Sequence, residues 1–243
     1  MTVLSFALFS VFSVRASPDL PGIIGTDDRH PLSTDKWPWS AIGRVNQNQG
    51  SAHCTGTLVA PNKVLTAGHC IYDAKHAKWF LPKEIAFIPD FRPNYDYAFS
   101  RGASFTFDLK DVPANVDLEF ISHDWAIITL EKSLPQKPIP IRPIQADWVS
   151  TTHKMQLTSA GYSADRPYLL SVDYDCNLKT KAANDAVLVT DCDSTKGNSG
   201  APVLLRHGHD EWYVVGVFSS AAQQGSPEMA TFAVSAKVFS DKY

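Results

Sequence analysis

Short strand-like runs recur from one end of this chain to the other, and helical periodicity is scarce. Among the clearest are Ser40 to Val45, Thr55 to Val59, Lys63 to Ala67, Glu84 to Ile88, Trp125 to Leu130, Tyr168 to Tyr174 and Trp212 to Ser219. These runs are rich in Val, Ile, Thr and aromatic residues, which suit a pleated, half-buried surface; Pro, Gly, Asn and Asp separate them. Such spacing predicts an all-β sandwich or barrel. Pro61-Asn62-Lys63 reads as a tight turn between paired strands, His207 to Asp210 as another, and Val234 to Tyr243 as a short terminal helix. The 243 residues suffice for one large β domain or two small ones. Ser133 to Pro143 holds four prolines, which cannot donate to a sheet ladder, so it is expected to be an extended connector between two halves.

A formal net charge of -3 and the lack of a basic tract give no sign of nucleic-acid binding. Val3 to Val14 is apolar but too short to span a bilayer, and it matches the centre of a secretory signal. Residues 1–16 are therefore expected to be a signal peptide and 17–22 a short propeptide. An even count of four cysteines in an exported chain predicts two disulfides. Cys54 and Cys70 flank a turn between apolar runs, while Cys176 and Cys192 lie together in the second half. No C-x-x-C pair occurs, so no structural zinc is expected. Asp27 and Asp28 read as solvated surface carboxylates rather than calcium ligands, for lack of a ligand spacing.

Three segments carry chemistry: Thr66-Ala67-Gly68-His69-Cys70, His123-Asp124-Trp125-Ala126 and Gly197-Asn198-Ser199-Gly200-Ala201-Pro202. A serine hydroxyl becomes a useful nucleophile when an imidazole removes its proton and a buried carboxylate holds that imidazole in the right tautomer. Asp124 begins an apolar strand, where a carboxylate is tolerated only beside hydrogen-bond donors. The glycines around Ser199 allow a sharp turn whose amides point outward. His30, His76, His153, His207 and His209 lack such a setting and read as ordinary loop histidines. An α/β-hydrolase is excluded: Ala201 replaces the last glycine of Gly-x-Ser-x-Gly, and only His207 and His209 follow Ser199.

From about Ile23 to Val238 the chain resembles the trypsin-like serine proteases of the chymotrypsin fold. It is similar to the bacterial branch that includes the staphylococcal glutamyl endopeptidase. The motifs are Cys54 to Leu58, Leu65 to Cys70, Asp124 to Leu130 and Asp191 to Val203, with Ile23 to Arg29 like that branch's mature start. The resemblance implies two six-stranded antiparallel β-barrels, residues 23–132 and 144–243, joined by the connector 133–143. The site lies in the cleft between them, and a short helix ends the chain. It implies His69, Asp124 and Ser199 as the catalytic triad, with Ser219 as a second donor to Asp124. A disulfide would pin the His69 turn to the preceding strand, and the amides of Gly197 and Ser199 would form an oxyanion hole. It implies a secreted or periplasmic endopeptidase with no metal or organic cofactor. The expected partners are protein or peptide substrates, with no nucleic acid and no membrane after signal removal; a monomer is expected.

Two positions depart from the pattern. In trypsin an aspartate immediately precedes the nucleophile and pairs with the N-terminal amine freed by zymogen cleavage; here that position is Asn198, which cannot form an ion pair. Asp193 stands where trypsin carries the carboxylate that selects Arg and Lys, so cleavage after Arg or Lys is expected, with small apolar side chains second. Phe218 stands where the glutamyl branch places a substrate-binding histidine, which disfavours Glu. Ser194, Ser219, Ser220, Ala221 and Ala230 would complete the substrate site. A catalytically silent homologue acting as a binding module is the alternative from another class, and an esterase side activity uses the same site.

Overall fold

The computed structural model describes residue 20 and residues 22–33, 35–47, 52–92, 98–148, 155–208, 210–221 and 229–243. The expected signal peptide, most of 17–22, His153 and His209 lie outside the described residues. The first barrel is built from β2 (Ile42–Gln47), β3 (Ala52–Ala60), β4 (Lys63–Thr66), β7 (Ile85–Pro89), β8 (Ser100–Phe107) and β9 (Ala126–Leu130). Its strands close in the order β2-β3-β4-β9-β8-β7, all antiparallel. A two-stranded ribbon, β5 (Tyr72–Asp73) and β6 (Lys78–Trp79), follows β4. In β7 the side chains of Ile85 and Phe87 are buried and those of Ala86 and Ile88 less so, the two-residue period of a strand with one face inward.

The second barrel comprises β10 (Gln156–Gly161), β11 (Leu170–Ala182), β12 (Val187–Thr190), β13 (Pro202–His207), β14 (Glu211–Ala221) and β15 (Thr231–Ser235). Its order is β11-β10-β13-β14-β15-β12, and pairing of β11 with β12 closes it. Closure leaves neither barrel a free edge. One apolar cluster joins Leu58, Ile127 and Ile128 of the first barrel to Leu204, Val217 and Val234 of the second, and a separate core fills the second barrel around Leu157, Val203 and Val215. The proline-rich connector runs extended across this junction: Ile139 donates its amide to the Leu58 carbonyl, and Arg142 to that of Val214. The chain ends on α2 (Ala236–Phe239), whose Phe239 is buried in the shared core.

The strands of the first barrel begin at β2. Residues 22–32 dock on the second barrel instead, and β1 (His30–Leu32) pairs with β11, His30 opposite Val172. Arg29 drives this docking. Its side chain is only 1% exposed, and it is clamped by Asp27 at 2.9 Å and Asp165 at 2.9 Å. Arg166 adds bonds to the Arg29 carbonyl and to Asp27. Removing one partner of a buried ionic network leaves the others uncompensated. Arg29→Ala is therefore expected to cost about 3 kcal/mol, near the low end because the two aspartates are partly solvated, and to lower Tm by about 6 to 12 °C. A calorimetric scan that moves by less than a degree would contradict this role for Arg29.

Candidate active site

His69 sits in a single 3-10 turn, Gly68–Ile71, directly after β4. The Cys54–Cys70 disulfide ties this turn to β3. Asp124 ends α1 (Leu118–His123), a short helix capped by the Asp117 carboxylate, which accepts from the Phe120 amide at 2.8 Å. The helix anchors itself through buried Phe120 and Ile121 and delivers Asp124 beneath the His69 turn, at 0% exposure. There Asp124 accepts three bonds. The His69 amide donates at 2.7 Å, His69 Nδ1 at 2.7 Å and Ser219 Oγ at 2.6 Å. A carboxylate cannot donate when ionised, so His69 carries its proton on Nδ1 and leaves Nε2 free to accept one.

Burial pushes the Asp124 carboxyl up, but the His69 and Ser219 donors more than offset it and hold it below the usual carboxylate value. Burial likewise pushes His69 down, and the adjoining Asp124 charge reverses this, raising the imidazole above its ordinary 6.5. A ring nitrogen of His69 and the sulfurs of Cys54 and Cys70 lie within 4.8 Å of one another. The two sulfurs are bonded together, so this trio offers no thiolate to a metal.

The turn bearing Ser199 is fixed peptide by peptide. The Lys196 carbonyl accepts from Ala164 N at 2.6 Å and the Asn198 carbonyl from Ala201 N at 2.8 Å. The Gly197 carbonyl accepts from Thr55 Oγ1 at 2.9 Å, and that of Ser199 from Thr55 N at 2.9 Å. In a trans peptide the N–H points opposite to the C=O. The first two bonds therefore turn the Gly197 and Ser199 amides away from the protein framework. Among the described residues neither amide donates to a protein acceptor. Gly197 holds φ at +92°, and a Cβ there would lie 2.5 Å from the Tyr162 carbonyl oxygen, so only glycine fits. Two unpaired, fixed amides flanking a serine form an anion-binding concavity. Ser199 Oγ itself has no hydrogen bond among the described residues, and the Ser199 backbone abuts the disulfide, its carbonyl 3.7 Å from Cys70 Sγ.

The substrate-site expectations fare differently. Asp193 does not face an open pocket: it is 2% exposed, and its two oxygens accept from the Ile24 amide at 2.8 Å and the Asp28 amide at 2.9 Å. Burial, reinforced by neighbouring Asp173 and Asp27, pushes its carboxyl up to about 6 against these bonds. Phe218 is 1% exposed and packs in the core of the second barrel rather than forming an accessible wall. Ser219 spends its hydroxyl on Asp124. Ser194 and Ala221 do face a common space, but Gly22 occupies it. The Gly22 carbonyl accepts from Ser194 N at 2.9 Å, and a Cβ on Gly22 would meet the Ser194 carbonyl at 1.8 Å and Ala221 Cβ at 3.0 Å. Ser220 is partly exposed on β14, opposite Phe232, and Ala230 is buried before β15. Thr55, Ala164 and Gly22 escape sequence reading; Thr55 lies inside a quoted motif, but a threonine in a strand reads as an ordinary β residue.

Comparison with known proteins agrees with the fold. The trypsin family model matches residues 23–242. A glutamyl endopeptidase of Bacillus licheniformis is 42% identical over 60 residues, which is 24% of this chain and 18% of that protein. Serine protease 23 of Mus musculus is 27% identical over 215 residues, covering 76% of this chain and 53% of that protein. The chain thus spans about half the length of the latter relative and less of the former. A solved structure of a Glu endopeptidase in complex with MPD superposes with a TM-score of 0.68 at 20% identity, over 88% of this chain and 93% of that one. The double barrel, the paired disulfides and a family match over nearly the whole chain lead to one conclusion: this chain belongs to the trypsin family.

Proposed function

We propose that the chain is a secreted or periplasmic endopeptidase in which His69, Asp124 and Ser199 act as a triad. The observation that carries this reading is the threefold-bonded, fully buried Asp124 holding His69 with Nε2 free, next to a serine turn with two unpaired amides. Ser199 Oγ attacks the scissile carbonyl, and His69 Nε2 takes its proton and passes it to the leaving amine. Asp124 stabilises the imidazolium formed in between. The Gly197 and Ser199 amides bind the charge on the carbonyl oxygen, each contributing about 3 kcal/mol in the transition state. Water then releases the acyl group by the same route. The two disulfides favour an oxidising compartment, and no helix of the described residues is long and apolar enough to cross a membrane.

The preferred side chain before the cut is small and apolar rather than Arg or Lys. A cation needs a free carboxylate, and that of Asp193 is engaged by two amides and shut from solvent. Gly22 stands in the space between Ser194 and Ala221, so removal of the residues before Ile23 is expected to open it. Cleavage of a mixed peptide library by the chain trimmed to Ile23 tests this. Products ending in Ala, Val or Ser are expected to dominate. A profile dominated by Arg and Lys would return Asp193 to the pocket, and one dominated by Glu would assign the chain the specificity named for its bacterial relative.

A further inference from the structure

We propose that Thr55 is a positioning residue that sets the oxyanion turn, so that the turn needs no charged N-terminus. This rests on the endopeptidase reading above. Thr55 belongs to β3 of the first barrel, is 0% exposed, and reaches across to the second barrel. Its hydroxyl hydrogen goes to the Gly197 carbonyl at 2.9 Å, and its oxygen accepts from the Tyr162 amide at 2.9 Å. Neither partner can play the opposite role, so the direction of the hydroxyl is fixed. Its backbone amide holds the Ser199 carbonyl at 2.9 Å, and its own carbonyl is held by Thr66 Oγ1 at 2.8 Å.

One residue thus anchors the turn on both sides of Asn198, at the Gly197 and Ser199 carbonyls. The Asn198 side chain supplies no such anchor. It is 1% exposed, it carries no charge, and among the described residues its side-chain oxygen has no hydrogen-bond partner. In the trypsin pattern an aspartate at this position is drawn to the freed α-ammonium group. Here the turn is already formed with Gly22 and Ile23 still joined. The neutral hydroxyl and amide of Thr55 replace the ion pair. An anchor of this kind does not titrate, so the oxyanion amides stay in place at pH values where an α-ammonium would lose its proton.

Two measurements on the trimmed chain test the inference. Thr55→Val keeps the shape and removes the hydroxyl, and kcat for a peptide substrate is expected to fall about 10- to 100-fold with KM nearly unchanged, since misplaced oxyanion donors act on the transition state. Thr55→Ser keeps the hydroxyl and is expected to stay within about threefold of wild type. The second measurement uses the wild type alone and so does not depend on how T55V folds. Its kcat/KM should stay flat from about pH 8 to about pH 9.5, the range into which an ion pair would raise the titration of an α-amino group from its ordinary value of about 8. A T55V kcat equal to wild type, a T55S as slow as T55V, or an alkaline fall in the wild type would overturn the role of Thr55 while leaving the endopeptidase reading intact. A folded, trimmed wild type with no hydrolysis at all would instead overturn that reading, and this inference with it.

Discussion

Ser199→Ala is expected to abolish peptide hydrolysis, with kcat falling by about 10⁶-fold, the order seen when a triad nucleophile is removed. The effect should be almost purely kinetic. Ser199 Oγ makes no hydrogen bond among the described residues, and the bonds that shape its turn come from backbone atoms and from Thr55. Alanine keeps all of them, so the variant should fold, melt and bind peptides like the wild type. Residual turnover within tenfold of wild type would mean that another group attacks the substrate. A large fall in Tm would mean that Ser199 supports the fold in a way its contacts do not show.

Asp124→Asn is expected to lower kcat by about 10⁴-fold. An asparagine side chain presents an N–H₂ where the wild type presents only acceptors. Three donors converge there: the His69 amide, His69 Nδ1 and Ser219 Oγ. At least one must be left unsatisfied, and the imidazole is driven to the tautomer that cannot take a proton from Ser199. The same substitution removes the charge that raises His69. His69 must be neutral to act as a base, so activity is lost as pH falls through its folded pKa. In the wild type that acid limb should lie above the ordinary imidazole value of about 6.5, because Asp124 holds the proton on. In the variant it should move downward. A wild-type rate flat from about pH 8 to pH 5, or a D124N limb at higher pH than wild type, would contradict the pairing.

The parts of this account that were legible in the sequence are those written in contiguous residues. His69, Asp124 and Ser199 each stand inside a short motif whose neighbours are themselves informative. The strand runs announced most of the barrel staves, because a half-buried strand writes its burial as an alternation of residue types. β11 was read only to Tyr174 and runs to Ala182, because its second half is polar and partly solvated, so hydrophobicity gave no signal there. The helix α1 has six residues, too few to establish a helical period. The surroundings of Asp193 were hidden for a different reason: its partners, the amides of Ile24 and Asp28, lie 169 and 165 residues away in the chain. Nothing local records that the N-terminal segment folds back onto the second barrel. Thr55 illustrates the same limit, since its hydroxyl acts on Gly197, 142 residues downstream.

The most direct test of the central claim is covalent labelling by a fluorophosphonate, a reagent that reacts with serine only where the hydroxyl is activated and the oxyanion amides are formed. The chain trimmed to Ile23, with both disulfides intact, is treated beside its S199A variant, and the modified residue is located by mass spectrometry. The account predicts near-stoichiometric label on Ser199, none on S199A, and a labelling rate that falls with the acid limb of His69. A folded wild type that takes up no label, or takes it up equally in S199A, would contradict the claim that these residues form a working catalytic site.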